Sequence, residues 1–179
     1  MKFVYLLLFF TVVIFAGNVH AGSINVDDPS LFKQAFDFLN TVDNVDTMYL
    51  TLSRGVYTTT DTSEYEVVKA LTILAAPGLA EKPIITHSDD STNVIRMFHC
   101  YNSLTIEGIV IDGGHELSHG LKHGFTVIPH EDGIYNVKAG LNLTFRDCDF
   151  INFFEDKDPT KEGHAIYFYK EIPILGTVL

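Results

Sequence analysis

A short motif, leucine followed by threonine and an apolar residue, recurs four times along this chain of 179 residues. The copies begin at Leu50, Leu71, Leu104 and Leu143, so successive starts lie 21, 33 and 39 residues apart. Repeats in this range are typical of solenoids, because one repeat cannot bury its own apolar face and must stack on its neighbours. The motif therefore predicts a solenoid whose regular units are joined by connections of variable length.

The alternation of apolar and polar residues within each copy predicts a short β-strand. In the third copy Leu104 and Ile106 would face inward and Thr105 outward, since successive side chains of a strand point to opposite faces. A corner is expected at Gly108 in the third copy, or at Asp147 in the fourth, before a second short strand. The leucines of the four copies should point inward and their threonines should form an outward ladder. These threonines are Thr51, Thr72, Thr105 and Thr144.

One amphipathic helix is predicted near the N-terminus, around residues 29–40. Asp28 can cap this helix, and Pro29 suits its first position, where a missing N–H needs no partner. The apolar residues of the segment fall at helical spacing. They are Phe32, Ala35, Phe36 and Leu39. We expect the helix to cover the first coil, because an open solenoid end would leave strand edges free to pair. The predicted fold class is all-β, a parallel β-helix with an N-terminal capping helix.

The first 21 residues have the pattern of a secretory signal peptide. Lys2 precedes an apolar run over residues 3–16, and a small-x-small site ends at Ala21. A membrane anchor is the alternative, but 14 apolar residues are short for a bilayer span. We expect a signal peptide over 1–21 and a β-helix domain over 22–179, secreted, periplasmic or at the cell surface, with no membrane span after cleavage.

The charge of the chain excludes one large class of partner. Its formal net charge is −11, and removal of Lys2 with the leader makes it −12. Such a surface repels nucleic acid at long range, so no nucleic-acid partner is expected. The two cysteines, Cys100 and Cys148, fall at different places in their repeats. Export would permit a disulfide, but this placement favours two small buried thiols.

The repeats resemble the start of pectin-lyase-like proteins, and most of all those of the chondroitinase-B and alginate-lyase group and related exported bacterial β-helix proteins. The matching residues are Leu52, Gly55, Tyr57, Leu71, Ile73, Pro83, Ile84, Leu104, Ile106, Gly108, Ile111, Asp112 and Gly113. The resemblance implies a right-handed parallel β-helix and an extracellular polysaccharide as partner. It also implies a site with a basic lysine and arginine pair and a calcium ion held by acidic and amide side chains.

Candidates for this chemistry are few. Arg146 and Lys138 are the candidate cations, and Glu107 is the candidate acid or base, because cleavage beside a uronate needs a base for the α-proton and a cation for the developing charge. Arg146 and Glu107 would lie on adjacent coils, so a surface ion pair is the alternative interpretation.

A second group of candidates would contact substrate. Histidines at a spacing of four, His115, His119 and His123, would share one face of a helix and suit a transition metal. Glycines interrupt this stretch, which favours a solvated loop between coils that contacts substrate. Tyr167 and Tyr169, on one face of the last predicted strand, would offer aromatic faces to sugar rings.

Acidic residues near the C-terminus are the candidate calcium ligands: Glu155, Asp156 and Asp158. An acidic turn is the alternative interpretation. Two function classes stay open, a polysaccharide lyase-like enzyme and a non-catalytic β-helix module for binding or adhesion. The apolar C-terminal stretch "IPILGTVL" suggests a truncated domain or an N-terminal fragment of a larger lyase, with self-association through an open last coil.

Overall fold

The computed structural model describes residues 11–15, 19–42, 47–59, 65–87, 96–114, 123–127, 140–153 and 164–168. In these ranges the chain is mostly β-strand, with one α-helix, α1 (Phe32–Thr41), preceded by a 3-10 turn (Pro29–Leu31). The first seven strands are β1 (Thr11–Phe15), β2 (Val19–Val26), β3 (Thr47–Leu52), β4 (Val56–Thr59), β5 (Tyr65–Val67), β6 (Ala70–Ala75) and β7 (Ile84–His87). The next seven are β8 (Arg96–Cys100), β9 (Leu104–Glu107), β10 (Val110–Asp112), β11 (His123–Val127), β12 (Leu143–Arg146), β13 (Asp149–Ile151) and β14 (His164–Phe168).

The strands form three sheets. Sheet 1 has the order β1-β2-β3-β6-β9-β12, sheet 2 the order β4-β7-β10-β13, and sheet 3 the order β5-β8-β11-β14. From β3 onward, consecutive strands enter sheets 1, 2 and 3 in rotation. Every pairing described is parallel except that of β1 with β2. The expectation of an all-β chain built on parallel strands is therefore met.

The pairing in sheet 1 confirms the inward leucines but corrects the threonine ladder. The motif leucines are buried, and Leu71 and Leu104 are paired in register. Thr72 pairs with Thr105, which pairs with Thr144. Thr51, however, pairs with Leu74. The predicted fourfold threonine ladder was wrong in β3, whose register with β6 is shifted by two residues from the expected one. A shift of two residues leaves the same side chains facing inward and outward, so the alternation of apolar and polar residues cannot detect it.

The predicted corners are confirmed by the backbone. Gly108 has φ 71° and Asp147 has φ 51°, both in the left-handed region. The Gly108 N–H donates to the carbonyl oxygen of Arg146 at 2.9 Å, so the two corners are stacked. Glycine adopts this conformation without a steric cost, and aspartate tolerates it better than most residues. Each corner turns the chain from sheet 1 into sheet 2.

The predicted helix forms and packs on the strands. Asp28 accepts a hydrogen bond from the Ser30 N–H at 3.0 Å, with Pro29 at the start of the 3-10 turn. The four apolar residues predicted to form the stripe are the buried residues of α1. Phe32 lies edge-on to Tyr57 of β4, with ring centroids 5.6 Å apart. The helix thus covers the first strands of sheets 2 and 3, as expected of a cap.

An aromatic column continues from the helix through the core. Phe36 contacts Tyr65 of β5 (centroids 4.8 Å apart), Tyr65 contacts Phe98 of β8, and Phe98 stacks on Phe125 of β11 at 4.9 Å with an interplanar angle of 3°. Phe98 and Phe125 are fully buried. Stacked aromatic rings from successive strands therefore tie the helix to sheet 3.

Three other expectations meet the structure in different ways. Strand β1 and the start of β2 lie within the segment predicted to be a signal peptide, and cleavage remains a prediction.

Residues 123–127 form β11, so the prediction of a loop at His123 was wrong. Cys100 and Cys148 are unpaired thiols, as predicted, but only Cys100 is buried as expected, and Cys148 is half-buried. No helix in the described part of the chain combines the length and apolarity needed to cross a bilayer.

Candidate functional site

A groove of about 490 Å³ lies on the outer face of sheet 1. Its floor contains Tyr49 of β3, Thr72 of β6 and Thr105 of β9, which occupy one outward row of the sheet. Residues of the next outward row and of the corners complete it. These are Leu74, Ala75, Glu107, Gly108, Arg146 and Asp147. Adjacent strands are about 4.8 Å apart, so the row presents hydroxyl groups at a regular spacing.

Tyr49 takes the place in the ladder that the sequence had assigned to Thr51. It pairs with Thr72, and 39 % of its surface is exposed. The sequence did contain a signal, since Met48-Tyr49-Leu50 has the same apolar-polar-apolar alternation as the leucine motif. The exposed ring beside the threonines was the main feature that sequence reasoning missed.

Arg146 and Glu107 meet in the groove as the repeat alignment predicted. They are paired residues of β12 and β9, and Arg146 Nη1 lies 3.7 Å from Glu107 Oε2. The Arg146 side chain is 64 % exposed and that of Glu107 55 %. At this distance and exposure the two groups attract each other weakly and remain available to a ligand. The ion pair expected as the alternative interpretation is therefore present, between two neighbouring strands of sheet 1.

A second ion cluster borders the groove and was not predicted. Lys82, just before β7, lies 2.9 Å from Asp147 Oδ1 and 3.0 Å from Asp149 Oδ2. Hydrogen bonds to these two carboxylates raise the pKa of Lys82. Lys82 lies two residues before β7, Asp147 lies in the corner between β12 and β13, and Asp149 begins β13. The cluster therefore connects the two strands on either side of β10 in sheet 2. This lysine is occupied by structural partners, which leaves Arg146 as the cation that faces the groove among its lining residues.

The other predicted site residues are not in this groove as far as the structure describes them. His123 opens β11 and Tyr167 lies in β14, both in sheet 3, so they belong to a different sheet from the groove. The remaining candidates lie outside the described residues. They are Lys138, His115, His119, Tyr169, Glu155, Asp156 and Asp158. Within the ranges that the structure covers, no cluster of three or more histidine, cysteine or acidic side chains is arranged to hold a metal ion.

The groove has the elements of a binding site for a polyhydroxylated ligand. An exposed aromatic ring can pack on the apolar face of a ligand, and threonine hydroxyls both donate and accept hydrogen bonds. Arg146 adds donors and Glu107 adds acceptors. Comparison with known proteins adds no assignment, because no family model and no curated protein matches the chain.

Proposed function

We propose that this chain is an exported parallel β-helix protein that binds an extracellular polysaccharide in the outer groove of sheet 1, without cleaving it. The proposal includes a right-handed coil of the pectin-lyase-like type. The rotation of consecutive strands through three parallel sheets supports the coil. The right hand follows from the general preference of parallel crossover connections.

The observation that carries the proposal is the row formed by Tyr49, Thr72 and Thr105. A sugar chain offers C–H faces to an aromatic ring and hydroxyl groups to threonines, so one extended row suits several sugar units at once. Solenoids use the extended surfaces made by their stacked repeats in this way. The groove is built on paired strands, which hold the row rigid before a ligand arrives and reduce the entropy cost of binding.

The charges around the groove favour an uncharged saccharide over a polyuronate. Glu107 and Asp147 outnumber Arg146 among the lining residues. The whole chain has a formal net charge of −11, which opposes the approach of a polyanion at long range. The family resemblance would add a calcium ion that bridges the protein to an acidic polymer. The candidate ligands of this ion are Glu155, Asp156 and Asp158.

A lyase-like activity is the second candidate, because Arg146 and Glu107 place a cation beside a carboxylate. Two features argue against it. Both side chains are more than half exposed, and charges in contact with water stabilise a developing negative charge much less than charges in a closed site. Lys82, the nearest lysine described, is held by Asp147 and Asp149. The pair is therefore better suited to hydrogen bonding than to catalysis.

Binding can be tested by titration calorimetry with neutral β-linked oligosaccharides and with oligouronates. Tyr49→Ala should weaken binding of a neutral ligand about tenfold or more, since it removes the stacking surface. Phe38→Ala is the matched control, because Phe38 on α1 is 40 % exposed and lies outside the groove. Equal binding by the two variants would place the ligand elsewhere.

Catalysis and export have separate tests. Incubation with alginate, chondroitin or pectin, with and without calcium, should give no ultraviolet absorbance from unsaturated uronate ends. A rise that Arg146→Ala or Glu107→Gln abolishes would assign the groove to a lyase. Export predicts that the N-terminal residue of the secreted protein is Gly22, as peptide sequencing would show.

A further inference from the structure

Every strand of sheet 1 from β2 to β12 presents a hydroxyl group at the same level of its outer face. Successive pairings place these side chains in one row across β2, β3, β6, β9 and β12: Ser23, Tyr49, Thr72, Thr105 and Thr144. We call it the hydroxyl row. Tyr49 is exposed and the other four side chains are half-buried. The row extends the floor of the groove by one strand on each side, through Ser23 and Thr144.

The second outward row of the same strands has no such uniformity. Its members are Asn25, Thr51, Leu74, Glu107 and Arg146. Side chains in this row change from amide to hydroxyl, then to aliphatic, acidic and basic groups. A row that repeats one chemical group suits a ligand made of repeated units, because each unit then meets the same group. The hydroxyl row therefore indicates a regular polymer, and the second row does not.

The number of available contacts indicates the direction of such a polymer. Strands β9 and β12 have four residues each, so a ligand lying along either strand would meet two outward side chains. A ligand lying across the strands meets one hydroxyl group in each of five strands. The direction across the strands thus provides more than twice as many contacts.

The spacing of the row indicates the class of polymer. Neighbouring strands are about 4.8 Å apart, which is close to the length of one sugar unit in an extended β-1,4-linked chain. Both linkage bonds of such a chain are equatorial, so its rings follow one another in line. An α-1,4-linked chain instead winds into a helix and would leave the row after a few units.

We propose that the groove holds an extended, neutral β-1,4-linked polysaccharide that runs across the strands, with one sugar unit over each hydroxyl group of the row. This inference rests on the proposed function and adds the linkage class, the direction and the number of units. Tyr49 stacks on the unit that it meets, and the other four hydroxyl groups donate or accept hydrogen bonds. Successive units of the chain alternate in orientation, but both of its edges carry oxygen atoms, so the contacts continue along the row.

Calorimetry on the full chain with oligosaccharides of increasing length tests the inference. The ligands are β-1,4-linked oligosaccharides of glucose, mannose and xylose, two to six units long, and α-1,4-linked glucose oligosaccharides of the same lengths. In at least one β-1,4-linked series, each unit up to the fifth should raise the affinity roughly fivefold, the effect of one hydrogen bond. The sixth unit should add less than about twofold, because the row has no sixth hydroxyl group in the described mature strands.

The outcomes separate this inference from the proposed function. Affinity that stops rising at two units would mean that the ligand crosses the row instead of following it, and an equal rise with α-1,4-linked ligands would contradict the linkage class. Either result overturns the inference and leaves a saccharide-binding groove in place. Absence of binding by every oligosaccharide overturns the proposed function, and the inference with it.

Variants at the two ends of the row test its length. Ser23→Ala and Thr144→Val each remove one end hydroxyl group, and valine is well suited to a strand. Each substitution should weaken binding of the five-unit ligand roughly fivefold. Binding of the three-unit ligand should stay within about twofold of wild type, because three units can lie over the central three hydroxyl groups.

The matched control is Thr86→Val, which removes the hydroxyl group of a half-buried outward threonine of β7 in sheet 2. This variant should bind both ligands as wild type does. If Ser23→Ala and Thr144→Val also leave the affinity for the five-unit ligand unchanged, the ends of the row make no contact and the inference is overturned.

Discussion

Phe98→Ala tests whether the helix and the strands share one core. Phe98 is fully buried, and its ring lies 6.2 Å from Phe36 of α1, 5.5 Å from Tyr65 and 4.9 Å from Phe125. Truncation of a buried phenylalanine to alanine costs about 3–5 kcal/mol. Three aromatic neighbours at stacking or tilted geometry place Phe98 in the upper half of that range, since each such contact adds to simple burial.

The free energy of unfolding from urea denaturation measures this cost. Domains of this size are typically stable by about 5–15 kcal/mol, so Phe98→Ala should remove a large part of the free energy of unfolding. Phe98→Leu should lower that free energy by only about 1 kcal/mol and so provides a variant that remains folded. Phe38→Ala, at an exposed site on α1, should change stability by less than about 0.5 kcal/mol.

A double-mutant cycle makes the test specific for the helix. Phe36→Leu and Phe98→Leu should couple by about 0.5–1 kcal/mol if their rings are in contact. Additive effects of the two substitutions, or a Phe98→Ala variant as stable as Phe38→Ala, would refute the packing of α1 on the aromatic column.

Three further predictions concern the core and the corners. Burial raises the pKa of Tyr57 to about 12 from 10. The protonated tyrosine therefore contributes its full stability below pH 10, and this contribution, roughly 3 kcal/mol, is lost as the pH rises toward 12. Denaturation curves should show the stability advantage of wild type over Tyr57→Phe shrinking over that window, and a constant advantage would contradict the shift. Gly108→Ala should destabilise the protein more than Gly78→Ala. Both glycines have positive φ, but of the two only Gly108 would place the new Cβ against another side chain, 3.2 Å away. Equal losses of unfolding free energy would exclude that contact. Iodoacetamide should label Cys148 slowly and Cys100 only after unfolding, as mass spectrometry would show. The reason is that burial raises the pKa of both thiols and that Cys100 is fully buried. Rapid labelling of Cys100 would contradict its buried position.

The sequence predicts the features that depend on local pattern. The cap at Asp28, the helix stripe and the corners at Gly108 and Asp147 all follow from residues close together in the chain, and all are present. The Arg146–Glu107 pair was predictable as well, because each residue lies three positions after the leucine of its motif.

Features that depend on pairing between distant strands were harder to predict. β3 contains two overlapping apolar-polar-apolar triplets, and only its register with β6 selects Tyr49 over Thr51. Strand β11 lies in a glycine-rich and histidine-rich stretch, and its partners in β8 and β14 are far away in sequence. Lys82 reaches its aspartates across another strand, so no local signal identifies it.

The most direct test of the central claim is a chemical-shift map of the protein with a neutral β-linked oligosaccharide. The amides of Tyr49, Thr72 and Thr105 should shift as ligand is added, because they form the row in the groove. Val56 and Val110, on the outer face of sheet 2, should not shift. Perturbations confined to sheet 2 or sheet 3, or the absence of any perturbation with neutral and acidic oligosaccharides alike, would contradict a saccharide-binding groove on sheet 1.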